Sequence, residues 1–220
     1  MNIKKMKPKV DFAFKKIMMD EKALIGFSTK KQIESEVSPM ALAQEKIYTI
    51  DDIYALPDGQ RAELIDGQIY NMAPPTTNHQ RLVAKLSHQI LSHIDAKGGN
   101  CEVFPAPFAV FLNQDNQNYV EPDISVICDK DKLDDRGCNG APDWIIEIVS
   151  PSTSHMDYGI KLFKYRSAGV REYWIVNPKT CTVNVFDFEH EKKSNQYCFN
   201  DDIPVCIYKD YNINITALLS

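Results

Sequence analysis

The run Trp144-Ile145-Ile146-Glu147-Ile148-Val149 puts a carboxylate in the middle of a strongly apolar strand signal. Side chains alternate along a strand, so Trp144, Ile146 and Ile148 share one face, and Ile145, Glu147 and Val149 share the other. Both faces are apolar, as in a central strand covered on both sides. An unpaired carboxylate in that setting is costly and tends to stay protonated. The fold must therefore bring Glu147 a cation. A lysine or arginine would serve, and so would a hard metal ion, which takes oxygen ligands. The pattern alone leaves both open.

A second acidic strand lies upstream. In "YVEPDISVI", Val120, Ile124 and Val126 make one face, while Glu121, Asp123 and Ser125 make the other. If this strand pairs with the Glu147 strand, Asp123 and Glu147 face each other with Cβ atoms about 4.5–5.5 Å apart. Two carboxylates so close repel unless a divalent ion lies between them; Mg²⁺ fits, with waters filling its other positions. Pro-Asp occurs twice, at 122–123 and at 142–143. Asp143 stands four residues before Glu147 on the same strand, roughly 13 Å away at the usual rise, too far to share one ion. Asp143 is expected to be a strand-entry residue. Taken by itself, Asp123 also fits an edge or turn aspartate.

After the Glu147 strand, Ser150-Pro151-Ser152-Thr153-Ser154 is a turn rich in helix-capping residues. Asp157, Lys161 and Tyr165 follow at i, i+4 and i+8 on one helix face, with Lys164 beside them. Leaning over the carboxylates, that face would offer a lysine to the charge that grows on a reacting phosphate. The same spacing also describes an ordinary solvated ion pair between Asp157 and Lys161.

The surrounding pattern predicts an α/β or α+β sheet with helices on its faces. Residues 1–45 read as a separate appendage: an apolar stripe of Phe12, Phe14, Ile17, Met18 and Leu24, then polar, linker-like sequence. The main domain is expected over 46–220. It opens with a short helix in "YTIDDIYALP", where Thr49 and Asp52 form a capping box. A hairpin turns at Asp66-Gly67. In "NHQRLVAKLSHQILSHIDAKGG", Leu82, Leu86, Ile90 and Ile94 form one stripe and Gly98-Gly99 ends the helix. "CEVFPAPFAVFLN" and "YVEPDISVICD" are extended, and "DKDKLDDRGCNG" reads as a loop. A helix over Met156–Ser167 and the strand "EYWIVN" follow. The tail, including "PVCIYK", is expected to be a small antiparallel meander.

Composition narrows the function classes. A net charge of −5 does not favour nucleic-acid binding, though a local basic patch remains compatible with it. The six cysteines contain no C-x-x-C pair, so zinc-ribbon spacing is absent, and they are expected to be plain small apolar residues. No apolar run reaches membrane-spanning length, and the four lysines of Met1–Lys9 precede no apolar stretch, so no membrane partner and a cytoplasmic location are expected.

Several of these motifs occur together in one known family. "PD" at 122–123, then "APDWIIEIVSPSTSHMDYGIKLFKYRSAGVREYWIVNP", resembles the bacterial Uma-type restriction endonuclease-like family, and "AELIDGQIYNMAPPTTNHQ" matches its N-terminal hairpin and helix start. The resemblance spans about residues 46 to 190. That family is similar to PD-(D/E)XK nucleases. The likeness implies an α/β, restriction-endonuclease-like αβββαβ core: a mixed central sheet flanked by helices, here with a small C-terminal antiparallel extension. It also implies phosphodiester cleavage dependent on Mg²⁺, or Mn²⁺ in its place, with DNA as the expected nucleic-acid partner.

By the same resemblance Asp123 and Glu147 are metal ligands and catalytic residues, Lys161 is the catalytic lysine, and Glu63 is an additional catalytic acid. His79, Gln80, Lys164 and Tyr165 are expected to bind substrate. His79 also fits a helix-start packing residue. The superfamily usually sets its lysine two residues after the glutamate, where this chain has Val149. Lys161, or Lys164, of the following helix takes that place. Residues 6–27 separately resemble the opening of the Rpn-like PD-(D/E)XK transposase group, with no further motif of that group behind them. A homodimer is compatible with cutting both strands of a duplex. The rival expectation is a nuclease-shaped module without catalysis that binds nucleic acid or a protein partner.

Overall fold

The computed structural model describes residues 46–113, 115–150, 154–191 and 194–220. The expected appendage of residues 1–45, with its Rpn-like stretch, lies outside the described residues. The domain begins with helix α1 (Ile50–Tyr54), hairpin strands β1 (Ala62–Ile65) and β2 (Gln68–Asn71), and helix α2 (Thr77–Ala96). Strands β3 (Glu102–Pro105), β4 (Val110–Phe111), β5 (Ile124–Ile127), β6 (Leu133–Asp134), β7 (Gly137–Asn139) and β8 (Trp144–Ile148) follow. Helix α3 (Ser154–Met156) runs through a π-helical turn, Asp157–Lys161, into α4 (Leu162–Ala168). The chain ends with β9 (Glu172–Asn177), β10 (Thr182–Asp187), β11 (Asn195–Cys198), β12 (Ile203–Pro204), β13 (Asn212–Ile213) and α5 (Ile215–Leu219).

The central sheet has six strands in the order β11-β10-β9-β8-β5-β3. Strands β3, β5 and β8 run antiparallel, and the α3–α4 crossover then brings β9 in parallel to β8. From α2 to β9 this is the expected αβββαβ order. Strand β8 is buried along its whole length because helices cover both faces. On one face Trp144, Ile146 and Ile148 pack with Leu82, Leu86, Ile90 and Ile94 of α2. On the other, Ile145 and Val149 pack with Tyr165 and Tyr173. Fully burying one such apolar side chain is worth about 1.5–3 kcal/mol, so the two faces fix which way Glu147 points. It lies on the α4 side, in alternation with Ile145 and Val149.

The β1–β2 hairpin turns through Asp66 (φ 50°) and Gly67 (φ 72°), the left-handed pair such a turn requires. A reciprocal backbone bridge then docks β1 onto the segment before β5: Leu64 N–H donates to Tyr119 O at 2.7 Å, and Tyr119 N–H to Leu64 O at 2.8 Å. That bridge carries Glu63 towards the sheet end where Asp123 and Glu147 lie.

Three local expectations change. The "DKDKLDDRGCNG" loop contains the β6–β7 hairpin, and β7 also pairs in parallel with β4. In the tail, β10 and β11 extend the central sheet, whereas Val205–Lys209 forms no strand. The backbone N–H groups of Cys206 and Ile207 instead donate to the buried Glu172 carboxylate, at 2.8 and 2.9 Å. The cysteines are not all plain apolar residues, since Cys101 and Cys128 form a disulfide. They follow the Glu102–Ile127 pair of the β3–β5 ladder, one position further on. No helix among the described residues is long and apolar enough to cross a membrane.

Candidate active site

Four segments deliver the polar cluster. Strand β1 supplies Glu63, β8 supplies Glu147, the π-helical turn supplies Asp157 and Lys161, and α4 supplies Tyr165. All five are buried. The π-helical turn inserts extra backbone into the helix, a feature frequent at functional sites. Here it holds Asp157 and Lys161 inward while Ile160 remains on the exposed side.

Lys161 is the cation that Glu147 requires. Its Nζ donates to Glu147 Oε1 at 2.9 Å and lies 2.8 Å from Glu63 Oε2, with Asp157 Oδ1 at 4.0 Å. Tyr165 donates its hydroxyl to Glu147 Oε1 at 2.7 Å. Glu63 is fixed in turn by the Glu121 backbone N–H, 3.0 Å from Oε1.

One lysine among these acids leaves negative charge in excess. Burial pushes the Glu147 carboxyl up to about 8; Lys161 opposes this, and the charges of Asp123, Asp157 and Glu63 add to it. Burial works against the Lys161 ammonium, but Glu147, Glu63 and Asp157 outweigh it and hold the group well above its ordinary value. Lys161 therefore stays charged, and Glu147 is the acid whose ionisation the cluster opposes.

Asp123 stands at the end of the β5–β8 ladder. Ile124 pairs with Ile146, and one more step of that register sets Asp123 opposite Glu147. The Asp123 carboxylate closes the ladder itself: Oδ2 accepts the Ile148 backbone N–H at 2.7 Å. The same oxygen accepts His79 Nε2 at 3.0 Å. His79 sits in the first turn of α2, where Thr76 caps the helix and accepts the His79 backbone N–H at 3.3 Å. Burial lowers the His79 pKa, yet the hydrogen bond and charge of Asp123 overcome it and leave the ring raised above its ordinary value.

The other expected residues are placed as follows. Gln80 is exposed on α2. Lys164 pairs with Asp66 of the β1–β2 turn, so Lys161 is the lysine among the carboxylates. Tyr165, expected to face substrate, is fully buried and is directed at Glu147. Asp143 stands at the entry to β8, accepting Cys128 N–H and Arg171 Nη1 at 2.8 and 3.0 Å. The sequence reading missed Arg61, which donates to Glu121, and Tyr119, whose hydroxyl meets Glu121 at 2.6 Å. The available signal was the position of Glu121 on the same strand face as Asp123.

The family model for Uma2, described as "Putative restriction endonuclease", matches residues 50–204, more than half of the chain. The chain belongs to the Uma2 family. An uncharacterized protein of Synechocystis (slr1290) is 30% identical over 128 residues, covering 58% of this chain and 66% of the relative, just under two thirds of its length. A second uncharacterized Synechocystis protein (sll1609) is 25% identical over 158 residues, covering 70% of this chain and 85% of the relative. A crystal structure of a "putative nuclease belonging to DUF820" from Anabaena variabilis superposes with a TM-score of 0.64 at 21% identity, covering 77% of this chain and 96% of that one. This Uma2 chain thus shares the fold of that structure.

Divalent metals are typical of such families, and the residues present decide whether this chain suits one. Among the described residues no group of three or more His, Cys, Asp or Glu side chains is arranged to hold a metal. Asp123 and Glu147 nevertheless supply hard oxygen donors on opposed strand positions, beside negative charge that Lys161 alone does not balance. The donor chemistry fits a hard divalent cation with waters in its remaining positions.

Proposed function

We propose that this chain is a divalent-metal-dependent endonuclease that hydrolyses DNA phosphodiester bonds. The observation that carries the proposal is the convergence of Glu63, Glu147 and Lys161 within 2.9 Å contacts, at the ladder end where Asp123 lies opposite Glu147. Asp123 and Glu147 would hold Mg²⁺ or Mn²⁺. Bound there, the ion would supply Lewis-acid activation of the phosphodiester and of the attacking water.

The protein's own part is electrostatic and positional. Lys161 carries a fixed positive charge to where negative charge grows on phosphorus, and charge placed in advance in a water-poor site is worth more than in bulk water. Glu63 holds the ammonium in place, and its own carboxylate is held by the Glu121 backbone. Gln80 is exposed on α2, the helix whose first turn holds His79 to Asp123, and would face the substrate backbone. In this proposal the enzyme acts in the cytoplasm, and a homodimer would present two sites to the two strands.

A second proposal, a nuclease-shaped binding module without catalysis, draws support from one observation: Glu63, Glu147 and Lys161 are each only 5% exposed. Plasmid nicking separates the two. The full-length chain should nick supercoiled DNA with Mg²⁺ or Mn²⁺, and Asp123→Ala or Glu147→Ala should abolish it. Nicking that survives both substitutions would overturn the assignment. Tight Mn²⁺-independent DNA binding with no nicking would favour the module.

A further inference from the structure

The two opposed acids are bonded in the same lopsided way. Glu147 Oε1 takes both available donors, Lys161 Nζ at 2.9 Å and Tyr165 OH at 2.7 Å, while Oε2 accepts no hydrogen bond among the described residues. Asp123 Oδ2 likewise takes both of its donors, Ile148 N–H at 2.7 Å and His79 Nε2 at 3.0 Å, while Oδ1 accepts none among them. Each acid thus has one oxygen pinned and one left over.

We propose that Tyr165 and His79 are positioning residues: each pins one oxygen of its carboxylate so that the other, Glu147 Oε2 and Asp123 Oδ1, is presented to a shared divalent cation. The inference rests on the metal-dependent reading above and names the two residues that build its ligand geometry.

The physical basis is the soft final torsion of a carboxylate. Rotation about the last C–C bond is broad and two-fold, so a free carboxylate exchanges its oxygens readily. Two donors on one oxygen remove that freedom before any cation arrives and also offset the cost of burial. The donors are themselves rigid. Tyr165 is fully buried, with its ring edge-on to Tyr173 at 5.0 Å. The backbone of His79 is held in the capped first turn of α2, which sets where its ring starts from.

Calorimetric Mn²⁺ titration of the full-length chain tests this, with a melting temperature for each variant. Partners that orient ligands are commonly worth about 10–100-fold in metal affinity. Tyr165→Phe, which removes only the hydroxyl, and His79→Ala should each weaken Mn²⁺ binding by about that factor. His79→Gln, which can still offer an amide N–H towards Asp123, should recover part of the loss. Tyr211→Phe is the structural control: it loses a hydroxyl bond to the Gln89 carbonyl at 3.1 Å, and should lower the melting temperature without changing the affinity. Folded Tyr165→Phe and His79→Ala proteins that bind Mn²⁺ like the parent would overturn the inference while leaving the nuclease proposal standing. A parent protein that binds no Mn²⁺ would overturn both. Should Tyr165→Phe fail to fold, the contrast of His79→Ala with His79→Gln decides.

Discussion

Lys161 holds Glu63 and Glu147 together although 98 residues separate it from the first, with Nζ 2.8 Å from Glu63 Oε2 and 2.9 Å from Glu147 Oε1. The contact ties the β1–β2 hairpin to the central strand through one buried charge. Removing one partner of a buried pair leaves the other charge uncompensated, at a cost of about 3–5 kcal/mol. Lys161→Ala should therefore destabilise the domain by about that amount in urea denaturation at pH 7. The loss should be larger near pH 9 than at pH 7, because Glu147, pushed up to about 8, is then ionised and the variant leaves it without a cation. A loss that is the same at both pH values would show that packing, and not charge, is what Lys161 supplies.

The His79–Asp123 pair gives a pH dependence with a definite sign. The folded ring is raised above its unfolded value of about 6.5. Its contribution to stability is thus fully present below about pH 6.5 and is lost as pH rises through the folded value. In chelator-treated protein, the His79 ring proton followed by NMR should titrate with a midpoint above 6.5. Asp123→Asn removes the charge, so burial prevails and the midpoint should fall below 6.5. A midpoint that ignores the substitution would mean that Asp123 does not set the charge state of the ring.

The central strand was legible because hydrophobic alternation and covering helices report the same geometry, so Glu147 had to face inward. The opposition of Asp123 and Glu147 was legible for a similar reason: one-faced acidity on two strands leaves few registers open. Glu63 meeting Lys161 was not legible from local pattern. It depends on the Leu64–Tyr119 bridge that docks the hairpin, and backbone bridges leave no side-chain periodicity. The β6–β7 hairpin was hidden because Asp134 makes its turn with a side chain, accepting Arg136 and Gly137 N–H at 2.8 and 3.1 Å. The Cys101–Cys128 bridge depends on strand register beyond the last paired residues. The burial of Tyr165 was masked by its position beside lysines, which drew it towards a surface role.

The cysteines make a separate chemical test. Burial pushes the Cys138 thiol up to about 11, and only the thiolate is the nucleophile. Cys181 and Cys198 are exposed, while Cys101 and Cys128 are bonded to each other. Brief iodoacetamide treatment of native, unreduced protein at pH 8, read by peptide mass spectrometry, should label Cys181 and Cys198 and spare Cys138. Reduction in denaturant should then expose Cys101 and Cys128 to label. Rapid native labelling of Cys138 would show that β7 opens far more readily than the full burial of Cys138 implies.

Glu172 is a buried acid with no part in the proposed chemistry, and its partners explain why it is kept. Its carboxylate accepts Trp174 Nε1 at 2.6 Å and the Cys206 and Ile207 backbone N–H groups at 2.8 and 2.9 Å. It therefore clasps the C-terminal segment against the first residue of β9. Burial raises its pKa, with those three donors pulling the other way. Glu172→Ala would leave the donors buried without an acceptor, at about 1–3 kcal/mol for each group that water cannot reach. Hydrogen exchange should then quicken at Cys206 and Ile207 well before it does in β8, because losing the clasp frees the tail without touching the centre of the sheet. Glu172→Gln keeps an acceptor oxygen and should recover part of the protection. Equal quickening across β8 and the tail would instead make Glu172 a support of the whole sheet.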